Sequence, residues 1–342
     1  MKIELLDENR KAAWEDYVDG HPHATFYHRV GWKKVMEKSF GHKTYYLMAL
    51  QDENITGILP LVHLKSFLFG SMLCSLPFMG IGGICADNDG VETALLDAAG
   101  GLLKELKGDY LELRSTKRSK ADIPVKTHKV TMTVELDSDP ELIWKNFKTK
   151  HRTAIRRAAK NELEIRSGTE EFLNTFYEIE STGWRDLGTP FYPKSFFKNI
   201  VNELGDHIEI FLVFYQGQPI ATAFNGLFKD EVEGMWTYVL REHVKLQANY
   251  FLYWEMIRKA CEKGYRKFHL GRSTTESGGA FYKSKWNAIP TQLYWGYVLN
   301  KAQTVPDLDV ENPKYKRAIQ LWKKLPVSLT RWIGPLLAKN IP

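Results

Sequence analysis

The sequence predicts a mixed α/β (α+β) protein of two successive domains, each a mixed, mostly antiparallel sheet flanked by helices. Three observations point that way. The chain has 342 residues, long for one core and comfortable for two. Its 44% hydrophobic and 26% charged residues are the balance of an ordinary globular protein. Finally, the order of elements recurs without a repeat in sequence: each half has a hairpin pattern, then a helical pattern, then a further strand.

The first domain is expected over residues 1–128. Residues 2–6 read as a strand and residues 9–18 as an amphipathic helix with Ala12, Ala13 and Trp14 among charges. A loop carrying His21, His23 and His28 follows; their spacing matches no helical metal pair, so no zinc site is expected. Residues 31–40 are helical. Residues 42–50 and 55–64 form two strands around Asp52-Glu53-Asn54, a hairpin signal. Residues 67–86 lack any charge and are long enough to span a bilayer. Pro77, Gly80, Gly82 and Gly83, with polar Ser71 and Ser75, would break such a helix, so a strand, a loop and a second strand are expected. Helix 91–106, strand 109–114 and a polar, basic crossing over 114–127 complete the half.

The second domain is expected over 129–300. Val130, Met132, Val134 and Leu136 alternate onto one face of a strand. Ser138-Asp139-Pro140 opens a helix, which is expected to run on through residues 145–160, the densest positive run in the chain. Arg152 and Arg156 stand four apart and share a face. The planar guanidinium fork suits phosphate, and a solvated basic face is the plain alternative. Helices over 170–184 and 194–204 precede strands over 208–215, 220–227 and 232–239; Gln216-Gly217-Gln218-Pro219 turns the first pair. Helix 248–263, strand 266–270 and a last strand over 291–299 follow.

The chemistry is expected at Phe268–Pro290. The alternating strand stops at Gly271-Arg272-Ser273-Thr274-Thr275, Gly278-Gly279 permits a tight turn, and a short helix over 280–286 presents Lys283 and Lys285. A strand end, a glycine-rich turn and a cationic helix together can hold an anion or a developing negative charge. Elsewhere the composition excludes more than it assigns. The three cysteines, Cys74, Cys85 and Cys261, show no CxxC spacing, which argues against a disulfide framework and leaves the metal prediction at none. No apolar h-region follows the N-terminus, so no signal peptide and a cytoplasmic location are expected. The net charge of +6 favours anionic partners without requiring them. Residues 301–342 form a tail; over 313–338 it is basic and amphipathic, fit to lie on the inner face of a membrane or to pack on a domain, with packing favoured.

These motifs resemble a known family. GRSTTESGGAFYKSKW resembles the Gly-Arg-Ser…Gly…Phe-Lys…Trp block of the Fem-like (FemAB-type) transferases and their exopolysaccharide-associated (PEP-CTERM-associated) relatives. FYHRVGWKKVMEKSFGHKTYYLMAL, GILPLV, SLPFMGIGG, KHRTAIRRAAKNELEI, RDLGTPFYPKSFF and NYFLYWEMIRKACEKGY extend the likeness along most of the chain. The resemblance implies two tandem GNAT-like acyltransferase domains. It implies transfer of an acyl or aminoacyl group to an amine of a cell-envelope or exopolysaccharide precursor, with no tightly bound cofactor. The donor it implies is acyl-CoA or aminoacyl-tRNA, so tRNA is among the expected partners, with an envelope glycolipid or polysaccharide precursor as acceptor. Lys283 inherits the family's reaction-centre lysine, with Tyr282 where the relatives have Phe. His269 stands where the relatives carry Asp, two residues before the Gly-Arg-Ser turn.

The expected roles follow. Lys283, assisted by Arg272 or the turn amides, stabilises the oxyanion of a tetrahedral intermediate. His269 has the intrinsic range of a weak base, although a lone strand histidine is more often structural. Arg152 and Arg156 hold a phosphate. Trp184, Arg185, Tyr238, Asn249 and Ser273 are further candidates for substrate contact; core packing is the alternative for Trp184 and helix capping for Asn249. The turn Lys245-Leu246-Gln247-Ala248-Asn249-Tyr250, where CoA-binding GNAT domains place glycines, has none, which counts against ordinary CoA binding. The alternatives are a CoA-dependent N-acetyltransferase and a non-catalytic adaptor at the membrane face.

Overall fold

The computed structural model describes residues 1–66, 70–306 and 313–341. The chain divides into two units: Met1–Lys129, Gln292–Pro313 and Leu336–Pro342 in the first, Val130–Thr291 and Lys314–Pro335 in the second.

In the first unit β1 (Lys2–Leu5), β2 (Lys43–Gln51), β3 (Asn54–Ser66) and β4 (Gly70–Cys74) run antiparallel in that order. The β2–β3 turn places Asp52 and Glu53 both at positive φ, 48° and 64°, the backbone a two-residue hairpin needs to match strand twist. Helices α1 (Lys11–Gly20) and α2 (Gly31–Phe40) separate β1 from β2. The uncharged stretch resolves into β4, a loop and β5 (Cys85–Ala86), with residues 67–69 outside the described residues. Helix α3 (Asp89–Glu105), capped by Asn88, then carries the chain to β6 (Tyr110–Ser115), parallel to β4. Val91, Leu95, Ala99 and Leu103 of α3 meet Leu47, Leu59, Leu61, Leu73 and Leu111 of the sheet. The expected crossing over 114–127 holds the two-residue β7 (Val125–Lys126).

The second unit opens with β8 (Lys129–Glu135). The expected continuous helix over 140–160 breaks into α4 (Pro140–Asn146) and α5 (Thr149–Ala159), because Phe147 and Lys148 turn extended at ψ 143° and 144°. The break buries Phe147 edge-on against Trp286 at 5.6 Å, a tertiary contact no local rule announces. An unexpected strand, β9 (Leu163–Gly168), follows, and helices α6 (Leu173–Leu187) and α7 (Lys194–Leu204) lead to β10 (Ile208–Tyr215), β11 (Gln218–Phe228) and β12 (Glu231–Val239). Helix α8 (Ala248–Glu262) crosses to β13 (Lys267–Thr274), which pairs parallel with β12. Helix α9 (Gly278–Ser284) and β14 (Ile289–Gln292) complete a sheet ordered β14-β8-β13-β12-β11-β10-β9 among the described residues. Leu252, Met256 and Ile257 of α8 pack on Val130, Met132, Phe268 and Leu270, while Phe176 and Phe197 of α6 and α7 meet Phe224 and Trp236 edge-on or tilted. In both units an antiparallel run of strands ends in a helix that returns the chain to a parallel neighbour, so the two units share one architecture.

The expected last strand over 291–299 is two strands. Beyond β14, buried Leu293 turns the chain into β15 (Tyr294–Leu299), which pairs antiparallel with β6 and so belongs to the first unit rather than to residues 129–300. The reason is a buried charge. Arg114 of β6 is 1% exposed, its Nε donates to Glu112 at 2.7 Å, its Nη1 donates to the Met79 carbonyl at 2.6 Å, and its guanidinium lies 4.3 Å from the Trp295 ring of β15. The tail forms α10 (Pro313–Trp322) and α11 (Val327–Ala338). Trp322 and Thr330 are buried, whereas Leu321 and Trp332 stand 66% and 73% exposed, so packing takes only part of the apolar face. Among the described residues no helix is long and apolar enough to cross a membrane.

Candidate functional site

The site begins where β12 and β13 part. Their parallel register pairs Glu231 with Lys267, Val232 with Phe268 and Glu233 with His269, and holds no further pair among the described residues. Two glycines mark the parting. A side chain on Gly234 would start 2.9 Å from the His269 carbonyl oxygen, and one on Gly271 would start 3.0 Å from that of Gly234. Gly271 also sits at φ 74°, which reorients its carbonyl within the strand. The Gly-Arg-Ser segment is thus a kinked continuation of β13 to Thr274, not the turn after it.

Past the strand, the Ser277 hydroxyl accepts from the Ala280 amide and starts α9. Lys283 then folds back onto the kink. Its Nζ donates to the carbonyls of Gly271 and Arg272, 2.9 Å each, and the side chain is half-buried. An ammonium has three N–H groups, so one remains for a ligand. Burial, with the charge of Arg272, lowers the Lys283 pKa to about 8. Arg272 itself is exposed and Ser273 is buried; Gly279 approaches the Ser273 hydroxyl, where a side chain would start 3.7 Å away.

Helix α8 supplies an aromatic wall. Asn249 does not cap it: the cap position is Gln247, left-handed at φ 55°, while Asn249 Nδ2 donates to the Tyr282 hydroxyl at 3.0 Å and ties α8 to α9. Tyr253 stacks on Trp286, and His151 of α5 meets the same ring at 4.3 Å. Burial, with Lys285 nearby, lowers the His151 pKa to about 4, so it is neutral there. Arg152 and Arg156 turn toward α4 instead. Arg152 reaches the Lys145 carbonyl and the Thr149 hydroxyl, 3.4 Å each, and Arg156 lies over the Trp144 ring at 5.3 Å.

His269 sits at the last paired rung. One ring nitrogen meets the Thr133 hydroxyl and the other the Glu231 carboxylate, both at 2.9 Å, with Glu233 at 3.8 Å. Burial pushes its pKa down, but the two carboxylates outweigh burial and raise it. A histidine bonded through both nitrogens is poorly placed to collect a proton. The ligand atoms of Glu231, Glu233 and His269 lie within 4.8 Å of one another, metal-like in spacing. Lys267 pairs at 2.7 Å with the same Glu231 carboxylate that His269 meets, so the cluster reads as a polar network that is already partnered.

Trp184, Arg185 and Tyr238 gather on the opposite face of the sheet, around residues the sequence reading missed. The Tyr238 ring lies flush on Gly183 of α6, where a side chain would start 2.4 Å from it. Asp186 accepts from the Tyr238 hydroxyl at 2.9 Å and from Arg185 Nε at 2.7 Å, and pairs with Arg241 Nε at 3.0 Å. The Trp184 indole donates to Glu180 Oε1 at 3.2 Å. Glu180 is 3% exposed, and burial raises its pKa to about 8, with the Trp184 bond only partly offsetting it. One signal was legible: Phe176, Glu180 and Trp184 recur every four residues, which sets a carboxylate on an apolar stripe. Tyr253 relates the two faces, since the Thr237 hydroxyl hydrogen-bonds it and the Glu180 charge bears on it.

Residues 145–284 match a family model described as an acetyltransferase (GNAT) domain, which makes this stretch an enzyme domain of the acyl-transferring class. No curated protein matches the chain in sequence. Among solved structures, FemX superposes with a TM-score of 0.69 at 15% identity, covering 95% of this chain and 100% of that one. The L-PGS of Bacillus licheniformis gives 0.54 at 13%, covering 97% and 98%. A tandem GNAT protein from the clavulanic acid biosynthesis pathway gives 0.53 at 12%, covering 89% and 100%. At such identities the likeness is one of fold: two mixed sheets flanked by helices, as in tandem GNAT proteins.

Proposed function

We propose that this protein transfers an activated acyl or aminoacyl group to an amine of a cell-envelope or exopolysaccharide precursor. The observation that carries the reading is the Lys283 ammonium, pinned by two carbonyls at the parting of β12 and β13 within the acetyltransferase-type stretch. The attacking nitrogen forms a bond to the carbonyl carbon of an ester or thioester, and the carbonyl oxygen becomes an oxyanion. The spare N–H of Lys283 meets that oxygen; a well-placed donor of this kind lowers the barrier by about 3–4 kcal/mol. As the intermediate collapses, the C–O or C–S bond breaks. Lys283, with its lowered pKa, gives the leaving atom its proton. His269, clamped by Glu231, Glu233 and Thr133, holds the last rung of the β12–β13 pair rather than moving a proton. Arg272 adds charge beside Lys283, and Ser273, Asn249, Trp184, Arg185 and Tyr238 shape the two faces of the site. Arg152 and Arg156 offer phosphate contacts on α5.

The donor is aminoacyl-tRNA or acyl-CoA, and the acceptor a glycolipid or polysaccharide precursor presented at a membrane. Leu321, Leu329 and Trp332, exposed beside Lys323, Lys324 and Arg331, suit peripheral contact with an anionic bilayer face. One observation favours a CoA-dependent N-acetyltransferase: Gln247 turns the chain left-handed into α8 with no side-chain cap, leaving the first amides of a long helix for a pyrophosphate. Mass spectrometry of the nucleotides, RNA and lipids that co-purify with the protein decides between donors. Transfer undiminished in Lys283→Ala overturns the catalytic reading. An adaptor would instead lose function on removal of residues 313–342 and keep it in Lys283→Ala.

A further inference from the structure

We propose that Glu180 is the carboxylate that receives the ammonium of the amine substrate and takes its proton. The inference rests on the acyl-transfer reading above and adds to it the residue that prepares the nucleophile.

A buried carboxylate is retained when something compensates it, because an isolated buried charge costs several kcal/mol. Glu180 has little compensation of its own. Its Oε1 receives the Trp184 indole N–H at 3.2 Å, and its Oε2 has no hydrogen-bond partner among the described residues. Two arginines held on the same helix, Arg185 of α6 and Arg331 bonded to it, are engaged with other groups. Arg185 bonds Asp186 and the Leu325 carbonyl, and Arg331 bonds the Ser181 hydroxyl and the Glu178 carbonyl. Among the described residues nothing meets Oε2, so its partner comes from outside the chain. A primary ammonium supplies the hydrogen bond together with the charge that the ionised carboxylate needs.

The placement suits the reaction. Helix α6 packs on β11 and β12, and Tyr238 of β12 rests on Gly183, less than one turn from Glu180. The Glu180 charge reaches Tyr253 of α8, which neighbours Tyr282, the residue before Lys283. An amine entering over α6 meets Glu180 while the acyl donor meets Lys283. Glu180 Oε2 takes one proton from R–NH3+, and the freed lone pair attacks the acyl carbon. The N–C bond forms and the C–O or C–S bond breaks. The leaving atom takes its proton from Lys283, the nitrogen sheds its second proton to solvent, and Glu180 returns its own to solvent as Lys283 regains one. The net products are the amide, the protonated leaving group and one released proton. With its pKa at about 8, Glu180 is matched to this exchange near neutral pH. Of the groups facing it, Trp184 does not titrate and burial holds Tyr253 above its ordinary range.

The test uses the full chain with carbon-13-labelled glutamate. The carboxyl resonance absent from Glu180→Gln is expected to titrate well above the other glutamates. n-Butylammonium chloride is expected to move that titration down toward the ordinary range, whereas n-butanol leaves it in place. In transfer assays with the co-purifying donor, Glu180→Gln lowers kcat/KM about 10²–10³-fold and flattens the acid limb of its pH profile, and Glu180→Asp recovers part of both. A resonance indifferent to n-butylammonium, or a Glu180→Gln protein with the parent rate and pH profile, overturns the proposal while acyl transfer stands. A resonance that responds in a protein showing no transfer from any donor leaves the ammonium site and removes the acyl-transfer reading.

Discussion

Replacing Lys283 by Met separates a catalytic cation from a structural one. Met keeps the length of the side chain and removes the charge with its bonds to Gly271 and Arg272. Two bonds to a charged donor are worth about 1.5–3 kcal/mol each when considered alone. Yet the Lys283 pKa is lowered to about 8 from the ordinary lysine value of 10.5 with those bonds in place, so burial and Arg272 outweigh them. A tenfold change is about 1.4 kcal/mol, and the half-buried setting leaves some solvent screening, so holding the ammonium charged at pH 7 costs the fold on the order of 1–3 kcal/mol. The sign follows from the lowered value. The cost is present in full below about pH 8 and is relieved as pH rises toward 10.5. Lys283→Met is therefore expected to be as stable as the parent, or more so, at pH 7, and to lose that advantage by pH 10.5. Its transfer rate is expected to fall about 10²–10³-fold, the usual loss of one oxyanion donor. Urea unfolding at both pH values and a single-turnover transfer rate measure the two effects. A variant destabilised by several kcal/mol at pH 7, its rate falling only with its folded fraction, would refute the reasoning and make Lys283 a structural clamp.

Gly271→Ala puts a methyl 3.0 Å from the Gly234 carbonyl at φ 74°; a loss of about 1–3 kcal/mol in thermal unfolding, with slower transfer as the carbonyl under Lys283 shifts, is the expected outcome. Arg114→Met strands Glu112 without its partner in the first unit and is expected to cost about 3–5 kcal/mol in chemical denaturation; an unchanged midpoint would show that the ion pair contributes nothing there. Trp332→Ser changes a 73% exposed side chain, so stability is expected to hold within about 0.5 kcal/mol. Sedimentation with anionic vesicles is expected to weaken several-fold, and unchanged binding would remove α11 from any membrane contact.

Much of the fold is legible in the sequence. Lys194–Leu204 and Ile208–Tyr215 carry the bounds their periodicity predicts, and the β2–β3 hairpin forms around Asp52 and Glu53. These features depend on residues within a few positions of one another: which face is apolar, where the chain turns, what caps a helix. Other features depend on partners distant in sequence. Only the tertiary structure showed that Trp295 must cover Arg114, sending the final strand to the first unit, or that burying Phe147 against Trp286 breaks a helix without proline or glycine. The division holds at the site as well. The run Gly271 to Lys283 was readable as a cationic motif, but its ammonium is aimed by two carbonyls that a kinked strand presents. The Glu180 carboxylate oxygen without a hydrogen bond among the described residues is visible only in the tertiary structure. Periodicity is written locally, whereas the solvation of a charge is set by whatever the fold brings around it.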